Sequence, residues 1–332
     1  MAEQLQSMIL DDFTGGYNST DDDVGIAANQ MSSPSKNMIA DHGKVSMRKG
    51  FAKEGSMTTL GAISITSIFD GVNDILISGS NGTIYERTGA GTYTSRKTGM
   101  ANAPMDWVSY NAKDIVVDGT NTPQQWNGTS FSALTGAPAG DAIEVFREHI
   151  FIMDRDSAEL RFSEQGDETT WPSTNSIQVD KNTREKNRAI IAFGDRLIVF
   201  KQRSIHHIAG DDKLNFSRVP VSQGVGCVSH AAVFALSGSP NPQWNGLYWV
   251  DQEGFYFSPD LGRSVIKLSD LPGRTVQSRF DGLSKTNIGN ARVGIVRKLN
   301  QIWFIVNNGG DHNDEVYPWD YKQGIWQSRL RS

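Results

Sequence analysis

DRLIVFKQRSIHHIAG, Asp195–Gly210, is the stretch whose reading decides the fold. Its aliphatic run, Leu197–Phe200, breaks at a polar segment, Lys201–Ser204, and a second apolar run then ends at Gly210. Short runs of β-branched and aromatic residues divided by a turn-length polar break read as strand, hairpin and strand.

The same order recurs along the chain. DILISGS from Asp74, DIVVDGT from Asp114, HIFIMDR from His149, RLIVFKQ from Arg196, GLYWVDQ from Gly246 and QIWFIVN from Gln301 each set three apolar residues after a polar residue or glycine. That makes about six copies spaced by roughly 35–55 residues, the range of propeller blades. An apolar stretch precedes each copy, as in ITSIF from Ile65 or AIEVF from Ala142. A third element follows, from GTIYER at Gly82 to EVYPWD at Glu315, and then a weaker fourth, such as TYTS from Thr92, TTWPS from Thr169 and SVIKL from Ser264. Four strands per unit, the second most apolar, is the pattern of a β-propeller blade. A sandwich whose strands merely look alike would not hold this order from end to end.

The expected fold is all-β: a single β-propeller of about six four-stranded blades over residues 61–332, preceded by an extended N-terminal arm over residues 1–60. The arm is rich in Gly, Ser, Asn and Asp and should be irregular, its order coming from the propeller or a neighbouring subunit. KVSMRKGFA from Lys44 alternates within it and reads as a strand. SGSPNPQWN in the fifth unit and NNGGDHNDE in the sixth are the longest loops and are expected to project from one rim.

Composition agrees. Hydrophobic residues make up 38% of the 332, charged residues 21%, and the 33 glycines fall between short apolar runs, which favours strands joined by tight turns. The formal net charge of -5 argues against tight DNA binding, though not against a surface past which DNA slides. Cys227 is the one cysteine, so no intrachain disulfide forms; it reads as a small core residue folding in a reducing cytoplasm. No 18-residue apolar run occurs, and the acidic N-terminus MAEQLQSMILDDF does not read as a secretory signal.

Candidates for chemistry fall short of a site. SEQGDETTW, Ser163–Trp171, has the ends of a sialidase-type Asp box but lacks Asp and Gly at the required places and does not repeat. His206 and His207 point to opposite faces of a strand and cannot share a metal; one packed and one solvated histidine is expected. GGDHNDE, Gly309–Glu315, lacks the ligand spacing of a calcium loop and reads as a solvated loop. Lys44, Arg48, Lys49 and Lys53 read as a charged strand face. No catalytic residue, metal site or cofactor is expected.

The chain resembles the β-propeller tail nozzle and tail hub proteins of short-tailed bacteriophages, also described as packaged-DNA stabilisation proteins. Their arm opens on F-x-G-G-x-N, continues with Asn followed by Gln or Glu, and closes on R-x-G. Here these are Phe13, Gly15, Gly16 and Asn18, then Asn29 and Gln30, then Arg48 and Gly50. The order LRFSEQGDETTWPSTNSIQV, DRLIVFKQRSIHHIAGD and SQGVGCVSH is similar to theirs as well. Larger members carry insertions absent here, so nozzle, hub and adaptor ring stay open. The resemblance implies a non-enzymatic virion protein assembled in the host cytoplasm. It implies a ring, sixfold, seated between portal or adaptor and tail or fibre proteins, with double-stranded DNA passing its lumen without tight binding. The competing reading is a host-envelope carbohydrate-binding module with Trp244 as an exposed contact; a glycan hydrolase is the third.

Overall fold

The computed structural model describes residues 65–272, 274–310, 313–328 and 330–331, and within the arm 16–17, 30–31, 38–41 and 44–47. Six sheets of four main strands each follow one another, every strand hydrogen-bonded to the next in sequence. Blade 1 is Ile65–Asp70, Ile75–Gly79, Ile84–Gly89 and Thr92–Lys97. Blade 2 is Asp106–Tyr110, Lys113–Val117, Gln124–Trp126 and Phe131–Ala133. Blade 3 is Ala142–Phe146, His149–Met153, Glu159–Phe162 and Ser176–Gln178. Blade 4 is Asn187–Phe193, Arg196–Lys201, Ser204–Ala209 and Ser217–Gln223. Blade 5 is Val233–Leu236, Gly246–Asp251, Gly254–Ser258 and Ile266–Lys267. Blade 6 is Arg292–Val296, Gln301–Val306, Glu315–Asp320 and Ile325–Trp326, with Leu330–Arg331 pairing the third strand beyond the fourth. Six such up-and-down sheets make the chain a six-bladed β-propeller.

The chain divides into two compact units, residues 51–226 and residues 1–50 with 227–332. In the first unit, blades 1–4, the first strands of blades 2, 3 and 4 lie beside one another, so they are the inner strands and the fourth strands form the outer edge. The core lies between blades. Val116 packs with Leu76, Ile84 and Trp107, while its neighbours Ile115 and Val117 pack with Ile143, Ile150 and Ile152. Phe151 and Met153, on the other face of blade 3, pack with Ile190, Leu197 and Val199 of blade 4. A second strand therefore buries both faces, which is why it reads as an unbroken apolar run rather than an alternation.

Outer strands carry edge protection. Those of blades 2 and 3 are three residues long, that of blade 1 carries Arg96 and Lys97, and the longest, in blade 4, holds Pro220.

In the second unit the blades are packed by rings. Phe255 of blade 5 lies within 5.7 Å of the ring centres of Phe304, Tyr317 and Trp326 of blade 6, and Trp326 meets Trp319 at 5.1 Å. The arm belongs to this unit. Gly16–Tyr17 pairs in parallel with Gln30–Met31 and lies against Ile325–Trp326, and Tyr17 is fully buried. The hairpin Met38–Asp41 with Lys44–Met47 is fastened at Ser328, whose Oγ accepts from the Met38 amide (2.7 Å) and donates to its carbonyl (2.8 Å). Lys44 lies on the expected strand; Arg48, Lys49 and Lys53 fall outside the described residues.

Two local expectations need correction. The fourth strand of blade 3 is Ser176–Gln178, not the stretch from Thr169, because Thr169–Ser173 belongs to a thirteen-residue connection after Phe162. That connection is longer than either loop singled out from sequence. Those two loops also leave opposite ends of their sheets: 237–245 joins a first strand to a second, and 307–314 joins a second to a third. Successive strands of a meander run in opposite directions, so successive turns alternate between ends.

Candidate functional site

A grouping of chemistry-bearing side chains lies where the linker from blade 3 enters blade 4. Lys201 ends the second strand of blade 4 and is fully buried. Its Nζ donates to the carbonyls of Val179 (2.6 Å) and Asp180 (3.1 Å), and burial pushes its pKa down. Three residues on, the Ser204 hydroxyl donates to Glu185 Oε2 at 2.9 Å and sits 3.1 Å from His206 Nε2. His206 Nδ1 lies 3.5 Å from Arg218 Nη1 on the outer strand, and Arg218 is 3.7 Å from Asp180.

This set fixes its own protons. Arginine can only donate, so His206 Nδ1 accepts and Nε2 carries the hydrogen toward Ser204. Ser204 in turn passes its hydroxyl hydrogen to Glu185. The imidazole is therefore neutral, and burial, reinforced by the Arg218 charge, pushes its pKa down to about 4.

Serine, histidine and glutamate in contact invite comparison with a hydrolase triad, but the roles are not met. The carboxylate takes the serine proton directly, and the histidine nitrogen that should face a carboxylate faces a guanidinium. Ser204 and His206 are also buried from solvent. What the set does is hold the linker: Lys201 fastens its start and Ser204 its end.

A second polar construction joins blades 1, 2 and 3. Asp114, fully buried, accepts from the amides of Val72 (2.9 Å) and Asn73 (3.2 Å) and from Ser109 Oγ (2.6 Å), so it closes a turn of blade 1 from blade 2. Asp106 Oδ2 accepts from the Ile143 amide of blade 3 at 2.8 Å. The Asp-box-like SEQGDETTW has the same kind of task. Glu168 reaches back to Lys113 (2.6 Å) and Asn111 (2.8 Å) of blade 2, and the Trp171 indole donates to the Glu168 carbonyl (2.7 Å). Asp167 caps Thr169 through its amide and hydroxyl, holding its carboxyl at about 2.

Of the arm candidates, Gly16 and Gln30 stand directly opposite each other in the parallel pair. Phe13, Gly15, Asn18, Asn29 and Arg48 lie outside the described residues. Trp244, expected as an exposed contact, is half-buried instead. Its ring packs on Trp319 (4.9 Å) and Phe257 (5.4 Å). Gly324, at φ 69°, lies so close that an added Cβ would sit 2.8 Å from that indole. His207, like His206, is buried, which corrects the expected solvated partner: the third strand of blade 4 lies between two neighbours and both of its faces are covered. Cys227 is a buried free thiol that donates to the Ser229 carbonyl. Asp311 and His312 of GGDHNDE are outside the described residues, and no cluster with metal-ligand geometry occurs among the described ones. Among them, too, no helix is long and apolar enough to cross a membrane.

Of the blade 4 set, sequence reading singled out His206 alone and passed over Lys201, Ser204, Glu185 and Arg218. A further legible signal is Lys201 at the end of an apolar run, followed by two polar residues before the strand resumes.

No protein-family model and no curated protein matches the chain. Solved structures do. The extracellular domain of a hybrid two-component system protein of B. thetaiotaomicron superposes with a TM-score of 0.54 at 10% identity, over 82% of this chain and 34% of that one. This chain thus spans about a third of that structure's length. YCF48 from Cyanidioschyzon merolae gives 0.50 at 11% identity, over 80% of this chain and 84% of that one. Likeness at such identity concerns the fold alone, and the class it supports is the β-propeller.

Proposed function

We propose that the chain is a structural, non-enzymatic virion protein of a bacteriophage. It is one subunit of a sixfold ring in the tail or head-to-tail region, a nozzle or hub conduit that retains genomic DNA and then passes it. The observation that carries the reading is the arm. Gly16 and Gln30, from two separate motif stretches of the resemblance, lie opposite each other, and the adjoining Tyr17 is fully buried. Two positions of the arm resemblance thus meet in this chain.

Two further features support a ring subunit. Short or proline-bearing outer strands keep blades from pairing edge to edge, so association is left to loops and arm. The polar constructions at the blade junctions engage backbone groups of neighbouring elements. The carbohydrate-binding alternative loses its aromatic platform, because the Trp244 ring is packed.

Native mass spectrometry and negative-stain imaging of the purified protein test the proposal. Six-membered rings are expected, with negligible duplex DNA binding at physiological salt, since the net charge of -5 leaves little counterion release to drive it. A monomer at every concentration rejects the ring. Tight, salt-sensitive DNA binding rejects free passage, and sugar released from host glycans would make the chain an enzyme.

A further inference from the structure

The linker held by Lys201 and Ser204 presents cations to solvent. KNTREK, residues 181–186, is exposed except for Glu185, and its first turn, Lys181–Thr183, is bracketed by two left-handed residues, Asp180 (φ 50°) and Arg184 (φ 57°). Arg203, also exposed, immediately precedes Ser204, which is bonded to Glu185. Lys186 is taken by Asp156 at 2.8 Å. Among the described residues, Lys181, Arg184 and Arg203 have no carboxylate at ion-pair distance. Three exposed cations therefore stand together in sequence context, two on the linker loop and one on the hairpin turn bonded to it, in a chain that is acidic overall.

The arm carries the complement. The twelve residues between Tyr17 and Gln30 read NSTDDDVGIAAN: three consecutive aspartates, Asp21–Asp23, and no lysine or arginine. Both ends of this segment belong to the pair fastened on the second unit, while the cationic loop belongs to the first. Complementary patches at different places on one chain form a heterologous contact between copies, and heterologous contacts are the kind that close into rings.

We infer that the loop Lys181–Arg184 with Arg203 is the docking surface for the Asp21–Asp23 segment of a second copy of this chain. The inference rests on the ring reading and assigns it one contact. Charge steers the approach and sets the register, with little contribution from each pair alone.

The test is a charge exchange in the full-length protein. One variant carries Lys181→Glu, Arg184→Glu and Arg203→Glu; the other carries Asp21→Lys, Asp22→Lys and Asp23→Lys. Lys181, Arg184 and Arg203 are exposed, and circular dichroism checks that each variant is folded. Each alone should need about tenfold more protein to assemble, and wild-type assembly should weaken at high salt. Mixed one to one, the two variants should recover wild-type assembly, because each now offers what the other lacks. A contact within one chain would not respond to mixing. Wild-type-like rings from either variant, or a mixture that stays dissociated, overturn the contact and leave the ring reading standing. Wild-type protein that never assembles overturns both. Duplex DNA binding by the wild type that Lys181→Glu, Arg184→Glu and Arg203→Glu abolishes would assign the patch to phosphate and also overturn the contact.

Discussion

The interface between blades 2 and 3 and that between blades 5 and 6 solve the same packing problem with different side chains. Between blades 2 and 3 the interface is aliphatic, built on Ile115, Val117, Ile143, Ile150 and Ile152. Between blades 5 and 6 it is aromatic, with Phe255, Phe304, Tyr317 and Trp326 in mutual contact. Aliphatic interfaces gain from many small, replaceable contacts. Aromatic ones concentrate the buried area in few residues, each touching several others. The first region adds polar latches from strand to neighbouring turn; the second adds the arm. Loss should therefore be distributed between blades 2 and 3 and concentrated between blades 5 and 6.

The largest expected effect tests that directly. Trp326→Ala removes a fully buried ring shared by Phe255, Phe304 and Trp319 and should cost about 3–5 kcal/mol in denaturant unfolding. Ile152→Val in the aliphatic interface should cost about 1 kcal/mol. Equal losses would erase the contrast.

Next is pH. His206 is held neutral, with a pKa of about 4 against the usual 6.5. Between those values the unfolded chain binds the proton and the folded one does not, so stability falls as pH drops through the window, by up to about 3 kcal/mol. Urea midpoints at pH 7 and pH 4.5 measure the fall, and His206→Gln should reduce it. An unchanged slope in that variant would show that the fall comes from other groups.

Removing a latch is smaller. Asp114→Ala strands the Val72 and Asn73 amides and the Ser109 hydroxyl and should cost about 2 kcal/mol, with faster amide exchange confined to the turn at Gly71–Asp74. Exchange that rises across all of blade 2 would mean that Asp114 supports more than one turn.

The smallest effect lies at the arm. Ser328→Ala removes both bonds to Met38 and should cost about 1 kcal/mol, read as easier proteolysis of the hairpin with the blades intact. Unchanged proteolysis would mean that Tyr17 carries the docking without the hydroxyl.

The repeat was legible because a blade's second strand is buried on both faces and must be apolar throughout, as Ile115–Val117 and Ile150–Met153 are. The fourth strands were less legible. In blade 3 an aromatic stretch near Thr169 imitated one, while the true strand, Ser176–Gln178, is polar at two of three positions because it forms an outer edge. Trp244 misled for a related reason. Proline, asparagine and glutamine around it read as a surface loop, and nothing local to that loop announces Phe257, Trp319 and Gly324, which cover its ring.

By itself the sequence determined the class of fold, the number of blades and the order of strands, because hydrophobic periodicity and turn chemistry are local and repeat with the blade. Only the tertiary structure decided what the polar residues do. His206 is neutral because burial and Arg218, from the outer strand, disfavour its charge, and Lys201 is buried because two linker carbonyls reach its ammonium group. Such side chains take their partners, and with them their charge and exposure, from residues brought near by folding, which neighbouring positions in the chain do not encode.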